Sequence, residues 1–369
     1  MKVNRLRWGL TILSSLVFVL QAQADATIGS EVQNSFFQLE ENVEFLNQSE
    51  FQKNKEAVFR LLYKGPMVFP VGSCTNTMIS DEGHFITALH CIRTCLDEHD
   101  AAKLIAPFHD ERGMVVDGFM GVDYGQLKGK KCRAIDPNTN DEILLDVVAV
   151  GPGASLAGEV PIFNLASLMN KDLNLAANVL AYGIAGNLDF AILKRTDANK
   201  PNSCVSMTSE PMGTQDSYLN NQKVWTLSYP SSYGWTGESL SDGKTRLYSE
   251  GTVLASYKED PRLVEFAEGM KKGLGEQADA KADLLFDMMD MKVTTLPATP
   301  GSSGASVFNS DNEIAGIVSF VFQSTNKDDE NAKKPGNTYV VSASAVRDFV
   351  TDVYSDEDID MDKVFKCTK

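Results

Sequence analysis

The chain of 369 residues has room for one large domain or two of medium size, and its hydrophobic fraction of 43% can build a substantial core. Its formal net charge of −16 argues against nucleic acid or an anionic membrane surface as a partner. We therefore expect a globular protein that binds neither.

Residues 1–24 have the composition of an export signal. Three basic residues precede the apolar run 10–20, and Ala22-Gln23-Ala24 forms a small-residue cleavage site. The apolar run is too short to span a bilayer comfortably. Loss of residues 1–24 removes three positive charges and no negative ones, which changes the formal charge from −16 to −19. We predict a mature chain that begins near Asp25 and is secreted or periplasmic, with no membrane anchor.

Six cysteines in an exported chain predict up to three disulfides, and the sequence leaves 15 pairings open. They are Cys74, Cys91, Cys95, Cys132, Cys204 and Cys367. The spacing of Cys91, Cys95 and His99 also occurs in some zinc sites, but a fourth ligand is not evident and an oxidising compartment favours disulfides. We predict no bound metal.

Taken in chain order, the first half begins with a polar, acidic stretch at 31–55 that is more helical than strand-like. Short β-type runs follow, and Ser80-Asp81-Glu82-Gly83 predicts a hairpin turn between two of them. The strands predicted here are 58–63, 67–71, 76–79, 84–87, 147–150 and 190–193.

The second half has the same texture, with strands predicted at 224–228, 251–256, 305–308, 313–322 and 338–341. Two stretches are helical: 261–289, which is rich in Ala, Leu, Met, Glu and Lys, and a C-terminal helix with Ser344 as its N-cap. Many short strands separated by Gly, Pro, Asn and Asp predict an all-β fold of paired barrels.

The motif Gly301-Ser302-Ser303-Gly304 contains the candidate nucleophile. In the G-x-S-G frame that residue is Ser303, and the N–H groups of Gly301 and Ser303 would form the oxyanion hole. A glycine-serine turn without a catalytic role has the same local pattern. A lipase-type nucleophile elbow is excluded, because Ala305 stands where the second glycine is needed and no histidine follows Ser303.

A serine nucleophile needs an imidazole base, and His90 has the most favourable setting of the four histidines. It ends the strand-like run 85–88 and is followed at once by Cys91, which suits a rigidly held base. A lone histidine is also compatible with a purely structural role. His84 lies in the preceding hairpin and is expected to be exposed, and His99 and His109 lie in an acidic, loop-like stretch.

The third component is a carboxylate that orients the base, and Asp189 is the candidate. It opens the apolar strand 190–193, where a buried carboxylate needs a hydrogen-bond partner such as the triad histidine. An ordinary turn aspartate before a strand is the alternative. Together the three residues occur in the order His, Asp, Ser, which is the chymotrypsin order and differs from those of subtilisin and the α/β-hydrolases.

These motifs resemble the trypsin-like (chymotrypsin-fold) serine proteases. Thr87-Ala88-Leu89-His90-Cys91 is similar to their histidine box and the run 189–193 to their aspartate strand. The serine box Gly301-Ser302-Ser303-Gly304-Ala305-Ser306-Val307-Phe308-Asn309 is most similar to the bacterial branch that includes the glutamyl endopeptidases, as is the strand 224–230. The resemblance covers roughly residues 56–355.

The resemblance implies two six-stranded antiparallel β-barrels with the site between them, barrel one at about 56–200 and barrel two at about 201–342. A C-terminal helix 344–354 and an acidic tail 356–369 follow, and residues 25–55 form an N-terminal segment that is a possible pro-segment. It further implies a Cys74–Cys91 disulfide. Cys95–Cys132 and Cys204–Cys367 would then be the other pairs, although the sequence leaves the pairing of these four cysteines open.

Three departures from the family pattern bear on function. Ser302 is uncharged where animal trypsins carry an aspartate that pairs with the freed N-terminus, so that activation switch is not expected. His90 and Asp189 are 99 positions apart, which predicts an insertion near 98–129 or 138–178. The substrate pocket would use Pro297 at its floor and Val318, Ser319 and Phe320 in its wall, and glutamyl endopeptidases have a histidine where Val318 stands.

The sequence therefore predicts a secreted serine endopeptidase that acts on protein or peptide substrates as a monomer and requires no cofactor. With Pro297 at the pocket floor we expect cleavage after a small or uncharged apolar residue. The alternative is a chymotrypsin-fold binding protein that has lost proteolysis, although no triad residue is missing. A protein-quality-control protease of the HtrA type is disfavoured, because too little chain follows the last helix for its peptide-binding domain.

Overall fold

The computed structural model describes residues 37–62, 74–92, 95, 105–109, 115–122, 129–151, 189–197, 203–209, 212, 222–230, 244–254, 291–299, 301–321, 338–354 and 360–368. The export signal at 1–24, the predicted strand 67–71, the helical stretch 261–289, His99 and the acidic residues 355–358 lie outside this range.

The described residues are mainly β-structure. The strands are β1 (Gln38–Leu39), β2 (Val58–Leu62), β3 (Cys74–Met78), β4 (His84–Thr87), β5 (Ile105–His109), β6 (Val115–Val122), β7 (Lys131–Ile135), β8 (Glu142–Val150), β9 (Ala191–Arg195), β10 (Lys223–Ser228), β11 (Leu247–Thr252), β12 (Met291–Thr294), β13 (Ser306–Phe308), β14 (Ile314–Val321) and β15 (Thr338–Ser342). The helices are α1 (Ser49–Ala57), α2 (Leu89–Ile92), α3 (Ala343–Tyr354) and α4 (Met361–Val364).

Barrel one is closed by six antiparallel strands in the order β2-β3-β4-β9-β8-β7. Side chains alternate along β8: Ile143, Leu145 and Val147 are buried while the residues between them are more exposed, so one face of the strand packs on the barrel core. The predicted hairpin between β3 and β4 is confirmed, with Gly83 at a φ of 81° in its turn.

Barrel two is built from the sheet β1-β11-β10-β13-β14-β15-β12. Its two sides meet beyond the end of β11, where Val253 bridges Thr294 and the N–H of Leu254 donates to the carbonyl of Val293 at 2.8 Å. The N–H of Thr295 also donates to the carbonyl of Thr252 at 2.9 Å. These contacts bring β12 against β11 and leave β1 as an outer addition.

The two barrels have the same strand order. Numbered along the chain within each barrel, the strands run first, second, third, sixth, fifth, fourth in both cases. This repeated order is that of the chymotrypsin-like two-barrel fold, and the all-β prediction is confirmed.

Residues 37–57, here called the N-terminal strap, connect the two barrels. β1 pairs with β11 of barrel two, whereas α1 leads directly into β2 of barrel one. The Phe45 ring lies 5.8 Å from that of Trp225 and 5.4 Å from that of Tyr248, and Leu46 is fully buried. The Glu40 carboxylate pairs with the Arg246 guanidinium at 2.9 Å. Part of the predicted N-terminal segment 25–55 is therefore integral to the fold.

The structure contains three disulfides: Cys74–Cys91, which the family resemblance implied, and Cys95–Cys132 and Cys204–Cys367, whose pairing the sequence left open. Disulfides persist in oxidising compartments, which points to a location outside the cytoplasm. Across the described part of the chain, no helix has the length and apolar character needed to cross a membrane.

Several boundaries differ from the sequence prediction. Helix α3 begins at Ala343, so Ser344 lies within the first turn rather than at the N-cap, and its hydroxyl is 2.8 Å from that of Ser342. Strand β11 begins four residues before the predicted 251–256. The β5–β6 hairpin falls within the predicted insertion region 98–129.

Candidate active site

The serine motif lies in a loop, residues 299–305, made of two consecutive turns; we call it the serine loop. The N–H of Ser302 donates to the carbonyl of Thr299 at 2.9 Å, and that of Ala305 donates to the carbonyl of Ser302 at 3.0 Å. Gly301 and Gly304 occupy the third positions of these turns with φ angles of 99° and 80°. Glycine is needed at both places because a side chain disfavours positive φ.

The turns determine which N–H groups of the serine loop are hydrogen-bonded within it. The N–H of Gly304 donates to the carbonyl of Val318 at 2.8 Å, and those of Ser302 and Ala305 are used within the loop. The N–H groups of Gly301 and Ser303 donate to no acceptor among the described residues. These are the two donors that the sequence assigned to an oxyanion hole.

Two adjacent serines in the loop have different environments. Ser302 is fully buried, and its hydroxyl lies 3.1 Å from that of Ser228 and accepts the N–H of Thr299 at 3.3 Å. Ser303 is partly exposed. Only Ser303 is therefore accessible to a substrate.

The serine loop belongs to barrel two but rests on barrel one. The N–H of Thr75 donates to the carbonyl of Ser303 at 2.9 Å. At Gly304 an added Cβ would lie 2.2 Å from Oγ1 of Thr87 and 2.8 Å from the backbone nitrogen of Ala88, so only glycine allows this approach. Cys91 Sγ lies 3.6 Å from the Ser303 carbonyl oxygen.

The histidine and aspartate segments lie next to each other at one end of barrel one. His90 is in α2, which directly follows β4, and Asp189 precedes β9. The antiparallel pairing of Thr87 with Ala191 brings the end of β4 beside the start of β9. The Cys74–Cys91 disulfide ties α2 to β3. The backbones that carry the three predicted triad residues thus converge where the barrels meet.

Asp189 is fully buried, and its Oδ2 accepts a 2.5 Å hydrogen bond from the hydroxyl of Ser319 on β14. Ser319 was predicted to line the pocket wall, and its contact with Asp189 was not predicted. One sequence feature could have indicated the contact: Ser319 has the single hydroxyl in the apolar run Ile317-Val318-Ser319-Phe320-Val321, and a buried polar group requires a partner.

Two of the other predicted pocket residues, Val318 and Pro297, are buried. Val318 is 1% exposed and packs with the apolar core of barrel two. Pro297 is buried, and its carbonyl accepts a 2.9 Å hydrogen bond from the hydroxyl of Ser249. Phe320 lies in β14.

His84 was predicted to be exposed, and this is wrong. Only 4% of the residue is exposed, and its Nδ1 lies 2.8 Å from the hydroxyl of Ser80. Burial, together with the positive charge of Lys194, lowers the pKa of His84 to about 4. The ring is therefore neutral at physiological pH and has a structural role in the β3–β4 hairpin.

The zinc arrangement considered from the sequence is also wrong. Cys91 and Cys95 belong to two different disulfides, so neither can supply a thiolate to a shared metal with His99.

No family model matches this sequence, and no curated protein does so either. The chain is similar in structure to a serine endoprotease from Yersinia pestis at 12% identity and a TM-score of 0.40, covering 84% of this chain and 68% of that one. It is similar to an inactive serine-to-alanine mutant of Rv3671c from M. tuberculosis at 12% identity and a TM-score of 0.40, covering 85% and 95%. The fold assignment therefore rests on the strand order of the two barrels in this chain.

Proposed function

We propose that this protein is a serine endopeptidase with Ser303 as nucleophile, His90 as general base and Asp189 as the carboxylate that orients the base. Ser303 Oγ attacks the peptide carbonyl carbon while His90 takes its proton, and the oxyanion is held by the N–H groups of Gly301 and Ser303. The C–N bond then breaks, and His90 returns the proton to the leaving amine. Water, deprotonated by His90, hydrolyses the acyl-enzyme and regenerates Ser303.

The observation that carries this proposal is the docking of the serine loop on the histidine segment. A glycine-serine turn with no catalytic role has no need to approach Thr87 and Ala88 so closely that Gly304 cannot carry a side chain. Nor does it need a partly exposed serine whose own N–H, like that of Gly301, has no acceptor among the described residues. The burial of Asp189 beside the end of β4 adds the third component.

Fluorophosphonate labelling of the purified protein, followed by peptide mapping, tests the proposal. We expect a single adduct at Ser303 that is lost in Ser303→Ala and retained in Ser310→Ala, which alters an exposed serine of the neighbouring turn. A correctly folded wild-type protein that takes up no label would contradict the endopeptidase and favour a binding protein with the same fold.

We further propose that the enzyme cleaves after a small or uncharged apolar residue. The position implied for the pocket floor is Pro297, which has no charge to hold lysine or arginine. The similarity to the glutamyl endopeptidases does not extend to their specificity histidine, because Val318 stands in its place. Profiling with a peptide library is expected to show this preference, and strict cleavage after Arg, Lys or Glu would refute it.

Export completes the proposal: residues 1–24 are removed as a signal peptide and the protein acts outside the cytoplasm. N-terminal sequencing of the exported protein should find a start near Asp25. A start beyond residue 37 would mean that part of the N-terminal strap is removed.

A further inference from the structure

The hydroxyl of Thr75 on β3 of barrel one contacts two peptide groups of barrel two. Its Oγ1 donates to the carbonyl of Gly301 at 2.9 Å and accepts the N–H of Tyr229 at 3.1 Å. Thr75 is fully buried, so water does not compete for these bonds. One side chain thus connects β3 of barrel one to the serine loop and to the end of β10.

The Gly301–Ser302 peptide lies between the two peptides that carry the proposed oxyanion donors. Its carbonyl is held by Thr75, and its N–H donates to the carbonyl of Thr299 at 2.9 Å, so both ends of the plane are fixed. The next peptide is fixed as well, because the Ser302 carbonyl accepts the N–H of Ala305. Gly301, at a φ of 99°, has no side chain to restrict its own rotation.

We propose that the Thr75 hydroxyl is a positioning group for the oxyanion hole. By holding the Gly301 carbonyl it restrains the dihedral angles of Gly301, and this keeps the Gly301 N–H directed at the same point as the Ser303 N–H. The role rests on the proposed endopeptidase function and goes beyond it. The Thr75 hydroxyl bonds the Gly301 carbonyl and the Tyr229 N–H, and Thr75 contacts Ser303 through its backbone N–H alone among the contacts of the described residues. Its expected effect is to stabilise the transition state, in which the oxyanion develops, and not the bound substrate.

The matched variants are Thr75→Val, which keeps the shape and removes the hydroxyl, and Thr75→Ser, which keeps the hydroxyl. Both leave the backbone bond from the Thr75 N–H to the Ser303 carbonyl in place. We expect the maximal rate of phosphonylation by a fluorophosphonate to fall about 10- to 100-fold in Thr75→Val. This fall is no larger than the one that removal of an oxyanion-hole donor causes. Thr75→Ser should stay within about threefold of wild type.

Further readouts distinguish a positioning role of Thr75 from a general loss of folded structure. The half-saturating probe concentration and the pH midpoint of labelling should be unchanged in Thr75→Val, because neither binding nor the base is affected. Circular dichroism and thermal melting report whether the variant is folded. If Thr75→Val does not fold, Thr75→Ala removes the same hydroxyl without crowding and is judged by the same criteria.

The possible outcomes are distinct. A folded Thr75→Val that labels at the wild-type rate, or a Thr75→Ser that loses as much as Thr75→Val, overturns the positioning role while the endopeptidase stands. A wild-type protein that takes up no label refutes the proposed function, and the positioning role with it. A selective loss of the maximal rate that serine rescues supports both.

Discussion

At the scale of single residues, the contact between Ser319 and Asp189 leads to a clear expectation. Ser319→Ala removes a 2.5 Å hydrogen bond to a fully buried carboxylate, which should lower the free energy of unfolding by about 1–3 kcal/mol. Labelling of Ser303 should also slow, because Asp189 is held less firmly. Urea unfolding and labelling rates measure the two effects.

Ser306→Ala is the matched control for Ser319→Ala. Ser306 is also fully buried, but its hydroxyl has no hydrogen-bond partner among the residues that the structure describes, so its removal should cost much less stability. Equal losses in the two variants would show that the Ser319 bond contributes nothing specific.

The neutral state of His84 predicts a dependence of stability on pH. The pKa is 6.5 in the unfolded chain and about 4 in the fold, chiefly because the ring is buried, so the unfolded state binds the proton more readily. The contribution of His84 to the free energy of unfolding is fully present above pH 6.5 and is lost as the pH falls towards 4. The total loss is about 3 kcal/mol.

His84→Asn isolates this effect, because its amide can still pair with Ser80 and does not titrate. Urea unfolding at pH 7 and pH 4 should show a drop about 3 kcal/mol larger in wild type than in His84→Asn. Equal drops would mean that protonation of His84 is not coupled to folding.

The sequence led to predictions for residues whose proposed chemistry depends on a local motif, and to none for contacts whose partners are far along the chain. His90, Asp189 and Ser303 each sit in a recognisable short run. By contrast, Ser319 meets a carboxylate 130 positions away, and Thr75 meets a carbonyl 226 positions away. A hydroxyl in an apolar strand indicates that a partner is needed, but it does not indicate which residue that is before the two barrels are placed together.

At the scale of elements, the close contact between the serine loop and β4 makes Gly304 hard to replace. In Gly304→Ala the new Cβ would lie 2.3 Å from the carbonyl oxygen of Thr75 and within contact of Thr87, and both φ and space are unfavourable. We expect the free energy of unfolding to fall by about 1–3 kcal/mol. Labelling of Ser303 should be almost abolished.

Gly129→Ala is the control for Gly304→Ala, because Gly129 also has a positive φ, of 77°, but has no atom within 4 Å of an added Cβ. In Gly129→Ala only the unfavourable backbone angle should lower the free energy of unfolding, by a smaller amount, and labelling of Ser303 should be unchanged. If Gly304→Ala behaves like Gly129→Ala, the docking of the serine loop on barrel one is not as close as the structure has it.

Elements beside a clear turn were predicted well, whereas β7 was not predicted and β8, at Glu142–Val150, was predicted only over 147–150. The β3–β4 hairpin follows directly from its turn residues. Strand β7 has charged residues at Lys131 and Arg133 and only two fully buried side chains, Cys132 and Ala134, so its pattern is short and weak. It is a strand because β2 and β8 pair with both of its edges.

At the scale of the whole molecule, the two-barrel fold followed from many short strands and from the family resemblance, but the role of the N-terminal strap did not. A polar, acidic stretch with scattered Phe and Leu resembles a removable segment. Phe45 and Phe51 pack against Trp225 of barrel two, Leu46 is buried in the core, and the Glu40–Arg246 pair links the strap to barrel two. Such long-range burial has no local signature.

Two of the disulfides should separate stability from activity. Cys204–Cys367 spans 163 positions and Cys74–Cys91 spans 17, so chain entropy assigns them about 5 and about 3 kcal/mol respectively. Removing Cys204–Cys367 by paired serine substitutions should therefore lower the free energy of unfolding more than removing Cys74–Cys91.

The order should reverse for activity. Cys91 lies in α2 next to His90 and its Sγ is 3.6 Å from the Ser303 carbonyl, so loss of Cys74–Cys91 should slow fluorophosphonate labelling far more than loss of Cys204–Cys367. Urea unfolding and labelling rates of the two double variants make the comparison. Because the two rankings are opposite, a variant that is merely less stable cannot mimic the expected pattern, and parallel rankings would contradict it.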